Sequence, residues 1–507
     1  MVINQKRVGA ICSYVSIGLS AVVNLVLVNL LTRYMGGSEY GLYNMLGSLL
    51  STFVILDFGL PATVIRYYSK YKALDDKKGM ENILALCSRI YIILTAVLLA
   101  VGFVMYFYLG NIFPNFTAGE LQSSKIVYII LLINILISLP SQIFNAIITA
   151  YERFVFLKLS SIVQVVLQTI VVILLIRVSP YAVTLAMVYT IFNFLLIVAR
   201  VYYCFVKLKV KIKMHYFDID LLKSILSYSF FIFLNVIIDQ IFWSSNPIII
   251  GRVINPAAVA PYSIAKQIAY NYMTLSTAIS GLFLPKVTEM VTNNEPRKKL
   301  SDLLTKTGRI QFLLLSCILS GFILFGRQFI NIWVGSEYGE VYLITLLLII
   351  PFTVDLIQNI GLIILQALNM FRFKVYVFLG IAVLNIILAV PLAQKYAGIG
   401  CAMATGFTFF IGNAFIMNYY YSKYIGLDIK GFWIQMFKIL VPTVVCAAFG
   451  SLLNLFSLES QVIDLCVKIA IYVLIYLAVI WLFVMNEYEK GLFIGAVNKI
   501  KKRFIKA

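Results

Sequence analysis

The sequence is poor in charge and nearly free of histidine. Of its 507 residues only 12% are charged and 62% are hydrophobic, and the single histidine is His215. Charged residues make up about a quarter of an ordinary soluble domain. This composition therefore excludes a soluble fold, and the mean hydropathy of +0.96 agrees. The chain is predicted to be an integral membrane protein.

Cysteine pairs and the common catalytic signatures are also missing. The seven cysteines all fall inside apolar runs and form no CxxC pair, so they are predicted to be small core residues. No HExxH, Walker, GxSxG or GxGxxG context occurs, and no loop is long enough to house catalytic residues. The sequence predicts a protein that is not an enzyme and holds no metal or cofactor.

Long apolar runs, by contrast, recur along the whole chain. Each run of 18 or more residues is long enough to cross a hydrocarbon core of about 30 Å. The fold class predicted is an all-α membrane protein with about fourteen transmembrane helices. The predicted spans are 8–32, 41–65, 83–108, 125–150, 155–176, 182–205, 225–251, 257–284, 309–333, 341–368, 375–394, 398–422, 434–456 and 463–485.

The net charge of +20 is distributed unevenly over the predicted loops. Assigning loops alternately from a cytoplasmic N-terminus places roughly 32 Lys and Arg residues on one side and about 7 on the other. This asymmetry predicts that both termini are cytoplasmic. The excess of basic residues thus indicates membrane topology and contact with anionic lipids, and not a nucleic-acid partner.

One stretch of the sequence occurs twice. Residues 29–66 contain an apolar helix end, a Gly-rich corner and a second apolar helix, and a similar outline returns about 220 residues later. Arg252 then takes the place of Arg33, and Tyr262 takes the place of Tyr43. Two basic residues are therefore expected at matched depths in two halves of one molecule.

The same offset holds through six predicted helices, which indicates a duplicated six-helix bundle. Because six is even, both copies enter the membrane from the same side, as in a parallel repeat. Two such bundles enclose a cleft that rocking exposes alternately to each side, which is the plan of a transporter. The predicted division is a first bundle at 1–222, a second at 223–423, and helices 13 and 14 with a basic cytoplasmic tail at 424–507.

Four ionisable residues lie within the predicted spans. At 1.5 Å per residue, Asp239, Lys266 and Asp355 reach the middle zone of the bilayer. Asp57 lies in its inner third, just before Gly59 and Pro61, which are expected to kink or open helix 2. An intramembrane charge is costly, so each is a candidate for function. The alternative is that Lys266 is neutralised by an aspartate and only holds two helices together.

Several arginines lie at predicted helix ends. Arg33 and Arg252 are placed at outer ends and Arg66 at the inner mouth of helix 2, where a functional role competes with simple snorkelling to the interface. Arg89 and Arg309, one or two turns from inner ends, are predicted to be snorkelling anchors.

Polar and aromatic side chains on helices 7 and 8 are further candidates. Gln240 is suited to hydrogen bonding sugar hydroxyls, and Tyr262 and Tyr270 are suited to packing on sugar rings. Hydrogen bonding between helices, and packing in an aromatic belt, are the competing explanations.

The motifs resemble one transporter family. The corner LTRYMGGSEYGLYN, the segment DFGLPATVIRYYSKY and the run ILQALNMFRFKVYVFLGIAVLNIILAVPLAQKYAGIGCAMATGFTFF, together with fourteen doubled helices, resemble the polysaccharide transporter branch of the MOP exporter superfamily. That branch contains O-antigen and capsule repeat-unit flippases. The resemblance implies a V-shaped pair of bundles, a cavity lined by helices 1, 2, 7 and 8, and a bacterial inner-membrane location.

The resemblance also implies the cargo, a short glycan on undecaprenyl diphosphate flipped to the outer leaflet through a cationic cavity. Arg33, Arg252 and Lys266 would attract the diphosphate, and an aspartate would pair with them or take up a coupling proton or sodium ion. Helices 13 and 14 would hold the polyprenyl tail, and a polysaccharide polymerase and chain-length machinery are the implied partners. The alternatives are a multidrug or metabolite cation antiporter and a lipid II flippase.

Overall fold

The computed structural model describes residues 5–217, 219–280, 283–368, 370–491 and 494. Within these ranges the chain is helical and contains no strand, which confirms the all-α class. The basic tail predicted at the end of the chain lies outside the described residues.

The first half of the chain contains six helices that fold from apolar runs separated by short polar corners. α1 begins at Gln5 and breaks at Gly36, where φ is 72° and ψ is 175°, a conformation that glycine adopts without a Cβ clash. The helices are α1 (Gln5–Ser51), α2 (Leu60–Ala73), α3 (Lys77–Ile112), α4 (Ala118–Ala150), α5 (Phe154–Ile176) and α6 (Ala182–Tyr202).

The second half repeats long apolar helices and adds short ones. α13 also joins two helical segments, across a non-helical Ala397. The helices are α7 (Ile219–Val253), α8 (Val259–Ser280), α9 (Leu284–Thr292), α10 (Arg297–Trp333), α11 (Glu340–Ile357), α12 (Asn359–Ala367), α13 (Phe371–Phe410), α14 (Asn418–Tyr420), α15 (Ile429–Ser451) and α16 (Gln461–Phe483).

These helices lie where the predicted spans lie. Ten stretches of described helix are long and apolar enough to cross a membrane, and two of them, Val15–Ala73 and Arg372–Ile425, have 59 and 54 residues. Each of those two is long enough for two crossings. α7 and α8 occupy the two remaining predicted spans.

By backbone proximity the chain divides into two compact units. The first comprises Met1–Ser263 with Ile386–Cys401, and the second comprises Ile264–Asn385 with Ala402–Ala507. In the first unit α1 packs against α4, α5 and α7, and α4 packs against α2, α3 and α6. In the second unit α10 is central and packs against α11, α15 and α16.

The two copies of the repeated corner contact each other inside the first unit. α1 breaks at Gly36, and the matching break between α7 and α8 follows Val253, at the offset seen in the sequence. Gly41 lies directly against the Pro256 carbonyl, so a Cβ there would overlap that oxygen. Gly251 lies in the same way against Met45. Small residues thus let the two copies approach closely.

Candidate functional site

Asp57 lies at a helix break, as its neighbours predicted. The residues before it, Thr52–Asp57, form a 3₁₀ segment, and Phe58 and Gly59 follow with positive φ of 49° and 66°. α2 then begins at Leu60. The predicted interruption of helix 2 after Asp57 is confirmed. The carboxylate is half-buried and accepts a hydrogen bond from the buried Tyr91 hydroxyl at 2.6 Å, so α3 fixes its position.

Hydroxyl groups connect α7 to the first two helices. Ser51 and Ser244 are 2.8 Å apart, and Ser244 donates to the Gln240 side-chain oxygen at 2.9 Å. Thr63 of α2 and Ser229 of α7 are 2.9 Å apart. Gln240 therefore accepts a hydrogen bond within α7, from the serine that contacts Ser51, and its role toward sugar hydroxyls remains a prediction.

Tyr262 is held in the interior of the first unit. It is 3% exposed, and its hydroxyl accepts a hydrogen bond from Asn246 at 2.7 Å. This bond joins the start of α8 to α7. The role of Tyr262 in sugar packing remains a prediction.

Four charged candidates in the first unit have exposed side chains: Arg33, Arg66, Asp239 and Arg252. Arg66 lies 5.9 Å from the ring centroid of its neighbour Tyr67. At the end of α7 the Asn115 amide donates to the carbonyls of Arg252 and Val253, each at 3.0 Å. The backbone that carries Arg252 is thereby capped.

The second unit holds Lys266, Tyr270 and Asp355. Lys266 and Tyr270 are four residues apart on α8 and so share one helix face. Lys266 is half-buried and Tyr270 is 56% exposed. Asp355 is half-buried near the end of α11, within electrostatic range of Lys374.

Hydrogen bonds fix α8 within the second unit. The hydroxyls of Tyr272 and Thr353 are 2.7 Å apart, and Gln311 donates to the Ser276 carbonyl at 3.1 Å. These buried contacts tie α8 to α11 and α10. α8, which carries Lys266 and Tyr270, is therefore held in place against α10 and α11.

The prediction that Arg309 is a snorkelling anchor is wrong. Arg309 is 6% exposed, and its Nε and Nη2 donate to the two carboxylate oxygens of Glu489 at 2.6 and 3.0 Å. Nη1 donates to Gln435 at 3.2 Å, and Nη2 also donates to the Val484 carbonyl at 2.9 Å. The repeat partner Arg89 is exposed. The spacing of residues along the sequence could not predict this ion pair, because Glu489 lies 180 residues further along the chain.

A groove lies between α15 and the end of α16, with Arg309 of α10 in its lining. It has a volume of about 790 Å³ and is lined mainly by apolar side chains, among them Phe437, Val441 and Phe483. Lys438 and the buried Arg309 lie at its polar edge. Because Arg309 is paired with Glu489, the groove is a largely apolar surface with one exposed lysine, Lys438, in its lining.

Comparisons with known proteins agree with this architecture. Residues 8–291 match the family model described as polysaccharide biosynthesis protein. The probable low-salt glycan biosynthesis flippase Agl15 of Haloferax volcanii is 25% identical over 185 residues, 36% of this chain. The match spans 38% of the length of that relative.

Solved structures show the same fold. The lipid II flippase MurJ, in an inward closed conformation, has a TM-score of 0.74 at 16% identity, over 93% of this chain and 97% of that one. An inward-facing multidrug resistance MATE family transporter of the MOP superfamily has a TM-score of 0.59 at 13% identity, over 82% of this chain and 98% of that one. The chain therefore has the MOP transporter fold and belongs to the polysaccharide biosynthesis protein family.

Proposed function

We propose that the protein is a flippase that moves undecaprenyl-diphosphate-linked oligosaccharide repeat units from the cytoplasmic to the outer leaflet by alternating access. The observation that carries the proposal is the pair of extra helices, α15 and α16, with their apolar groove and the lysine that lines it, Lys438. A lipid-linked cargo needs a place for its chain, whereas a small soluble cargo does not. Membership of the polysaccharide biosynthesis family supports the same cargo class.

The comparison with the multidrug transporter favours this choice. Its match covers 98% of that chain but only 82% of this one, so this protein has additional length. The lipid II flippase match covers nearly all of both chains. Additional length shared with a flippase of a lipid-linked cargo supports a lipid-linked cargo here.

The charged candidates would bind the diphosphate headgroup and a coupling ion. Arg33 and Arg252 present exposed guanidinium groups in the two copies of the corner, and guanidinium matches the geometry of phosphate oxygens. Lys266 adds a cation on α8. Asp57, Asp239 and Asp355 are the candidates for uptake of a coupling proton or sodium ion. The polyprenyl tail would lie along the groove between α15 and α16.

The proposal places the protein in a bacterial inner membrane with both termini in the cytoplasm. Its product would be consumed in the outer leaflet by a polysaccharide polymerase and its chain-length machinery. The cytoplasmic termini follow from the charge distribution, and the bacterial membrane and the partners follow from the resemblance to polysaccharide transporters.

Depletion of the protein tests the cargo. We expect an undecaprenyl-linked oligosaccharide to accumulate on the cytoplasmic side, identified by mass spectrometry of extracted lipids. Accumulation of lipid II with cell lysis would favour the lipid II flippase. Unchanged glycolipids with altered sensitivity to cationic drugs would favour the multidrug antiporter.

A further inference from the structure

A basic cleft lies in the second unit, between α9, α10 and the segment after α16. It has a volume of about 340 Å³, and three lysines line it, Lys286, Lys299 and Lys306. These lysines lie at the ends of α9 and α10 that the distribution of Lys and Arg predicts to be cytoplasmic. The cleft is therefore expected at the level of the lipid headgroups.

The charges in the cleft do not cancel. The three ammonium groups share the lining with the carboxylates of Glu295 and Asp302. Glu295 pairs with Lys299 at 2.6 Å, and Lys306 lies 5.6 Å from the ring centroid of Tyr488. One positive charge remains in excess, which favours an anion.

A buried hydroxyl at the same wall lacks a partner. Thr307 lines the cleft and is 0% exposed, and its hydroxyl has no hydrogen-bond partner among the described residues. Buried polar groups are nearly always hydrogen bonded, because an unmade bond costs free energy. A ligand oxygen in the cleft would accept this hydrogen bond.

An apolar groove continues from the cleft. Ile310 lines both, and from there a groove of about 370 Å³ runs between α8, α10 and α16, past Leu314 and Leu477. Ile310 and Cys317, which both line it, are seven residues apart, roughly 10 Å along α10. The combined feature is charged at one end and apolar along its length, which matches the chemistry of an amphiphile.

We propose that this composite site binds an anionic glycerophospholipid of the cytoplasmic leaflet. The phosphate would lie against Lys286, Lys306 and the Thr307 hydroxyl, and one acyl chain would follow the groove past Leu314 and Leu477. The site shares no lining residue with the groove between α15 and α16. It is therefore distinct from the position proposed for the substrate tail.

Photocrosslinking of the purified full-length protein tests the site. The probe is phosphatidylglycerol with a diazirine on one acyl chain, and mass spectrometry maps the adducts. We expect adducts on the α10 and α16 peptides that contain Leu314 and Leu477, displaced by unlabelled phosphatidylglycerol. Adducts spread evenly over the exposed apolar surface would overturn the proposal.

Competitors separate the occupants. Equal displacement by phosphatidylcholine would refute headgroup selection, and displacement by inorganic phosphate alone would show a free-phosphate site. Stronger displacement by undecaprenyl diphosphate than by phosphatidylglycerol would reassign the site to the substrate. These experiments measure lipid binding and not transport. A failure of the lipid-site proposal can therefore be distinguished from a failure of the proposed flippase function.

Matched variants locate the ligand. Lys286→Gln combined with Lys306→Gln should lower crosslinking about tenfold, because each lysine near an anionic headgroup contributes to affinity. Lys298→Gln, an exposed neighbour that does not line the cleft, should leave it unchanged. Leu314→Trp should block the groove, whereas Ile323→Trp, on a similarly exposed position of α10, should not. Equal effects of test and control variants would refute the site.

Discussion

At the scale of single residues, the charged candidates for ligand binding differ from the buried Arg309 in being exposed or half-buried. Arg252 is exposed at the end of α7, and Lys266 is half-buried on α8. We expect Arg252→Ala and Lys266→Ala each to lower glycolipid transport about tenfold or more, because a charged group that binds phosphate contributes about 1.5–3 kcal/mol. Transport is measured as outer-leaflet glycan at equal membrane abundance.

Arg177→Ala is the control for these variants, since Arg177 is an exposed arginine at the end of α5. It should transport normally. Normal glycan display by both Arg252→Ala and Lys266→Ala would remove the two residues from the site.

A second residue-scale prediction concerns the contact between the two corners. Gly41→Ala places a Cβ against the Pro256 carbonyl, and backbone on both sides cannot move away cheaply. We expect a loss of about 1–3 kcal/mol in the free energy of unfolding, measured as a lower melting temperature in detergent. Gly47→Ala on the same helix meets open space and should be neutral or slightly stabilising. Equal melting temperatures for the two variants would contradict the close contact.

At the scale of helices, the buried pair Arg309 and Glu489 ties α10 to the segment after α16, with Gln435 of α15 as a third partner. Removing one partner leaves an uncompensated buried charge. We expect Arg309→Leu and Glu489→Leu each to destabilise the protein by about 3–5 kcal/mol. The double variant should recover much of the loss, because neither charge remains. Thermal unfolding of all three variants measures this.

The control pair is Glu295 and Lys299, which is far more exposed. Glu295→Gln should cost less than about 1 kcal/mol. A double Arg309→Leu and Glu489→Leu variant as unstable as the sum of the single ones would show that the pair is not the source of the effect.

The groove between α15 and α16 gives a prediction for transport. Val441 lines the groove, whereas Val444, on the same helix and similarly exposed, does not. We expect Val441→Trp to lower glycolipid transport several-fold by occluding the path of the tail, and Val444→Trp to leave it unchanged. Rates are compared at equal membrane abundance. Equal rates for the two variants would argue against a tail in this groove.

The local sequence predicted much of the helical architecture. Apolar runs located the helices, and Gly59 with Pro61 located the break after Asp57. The Arg309 and Glu489 pair and the Asp57 and Tyr91 contact were not foreseen, because they join segments that only packing brings together. A single sequence shows the spacing within a helix, but not which face of one helix meets another. For the same reason the exposure of Arg33, Asp239 and Arg252 was an open question before the structure.

At the scale of the whole molecule, the proposed alternating access would require a contact on one side of the membrane to open and close. The contact between the two copies of the corner is a candidate, because small residues let the two copies approach closely there. We expect a Met45→Cys and Gly251→Cys pair to stop transport when oxidised and to restore it on reduction.

Geometry favours this crosslink. A Cβ at Gly251 lies 2.8 Å from Met45 Cγ, the position that a cysteine sulfur at 45 would occupy, and this is close to the separation across a disulfide. Met45→Cys alone, treated with the same oxidant, controls for the effect of oxidation. Glycan display after oxidation and after reduction measures transport, and a gel shift measures crosslinking. If the fully crosslinked protein transports as fast as the protein after reduction of the disulfide, this contact stays closed throughout the cycle. The moving element would then lie elsewhere.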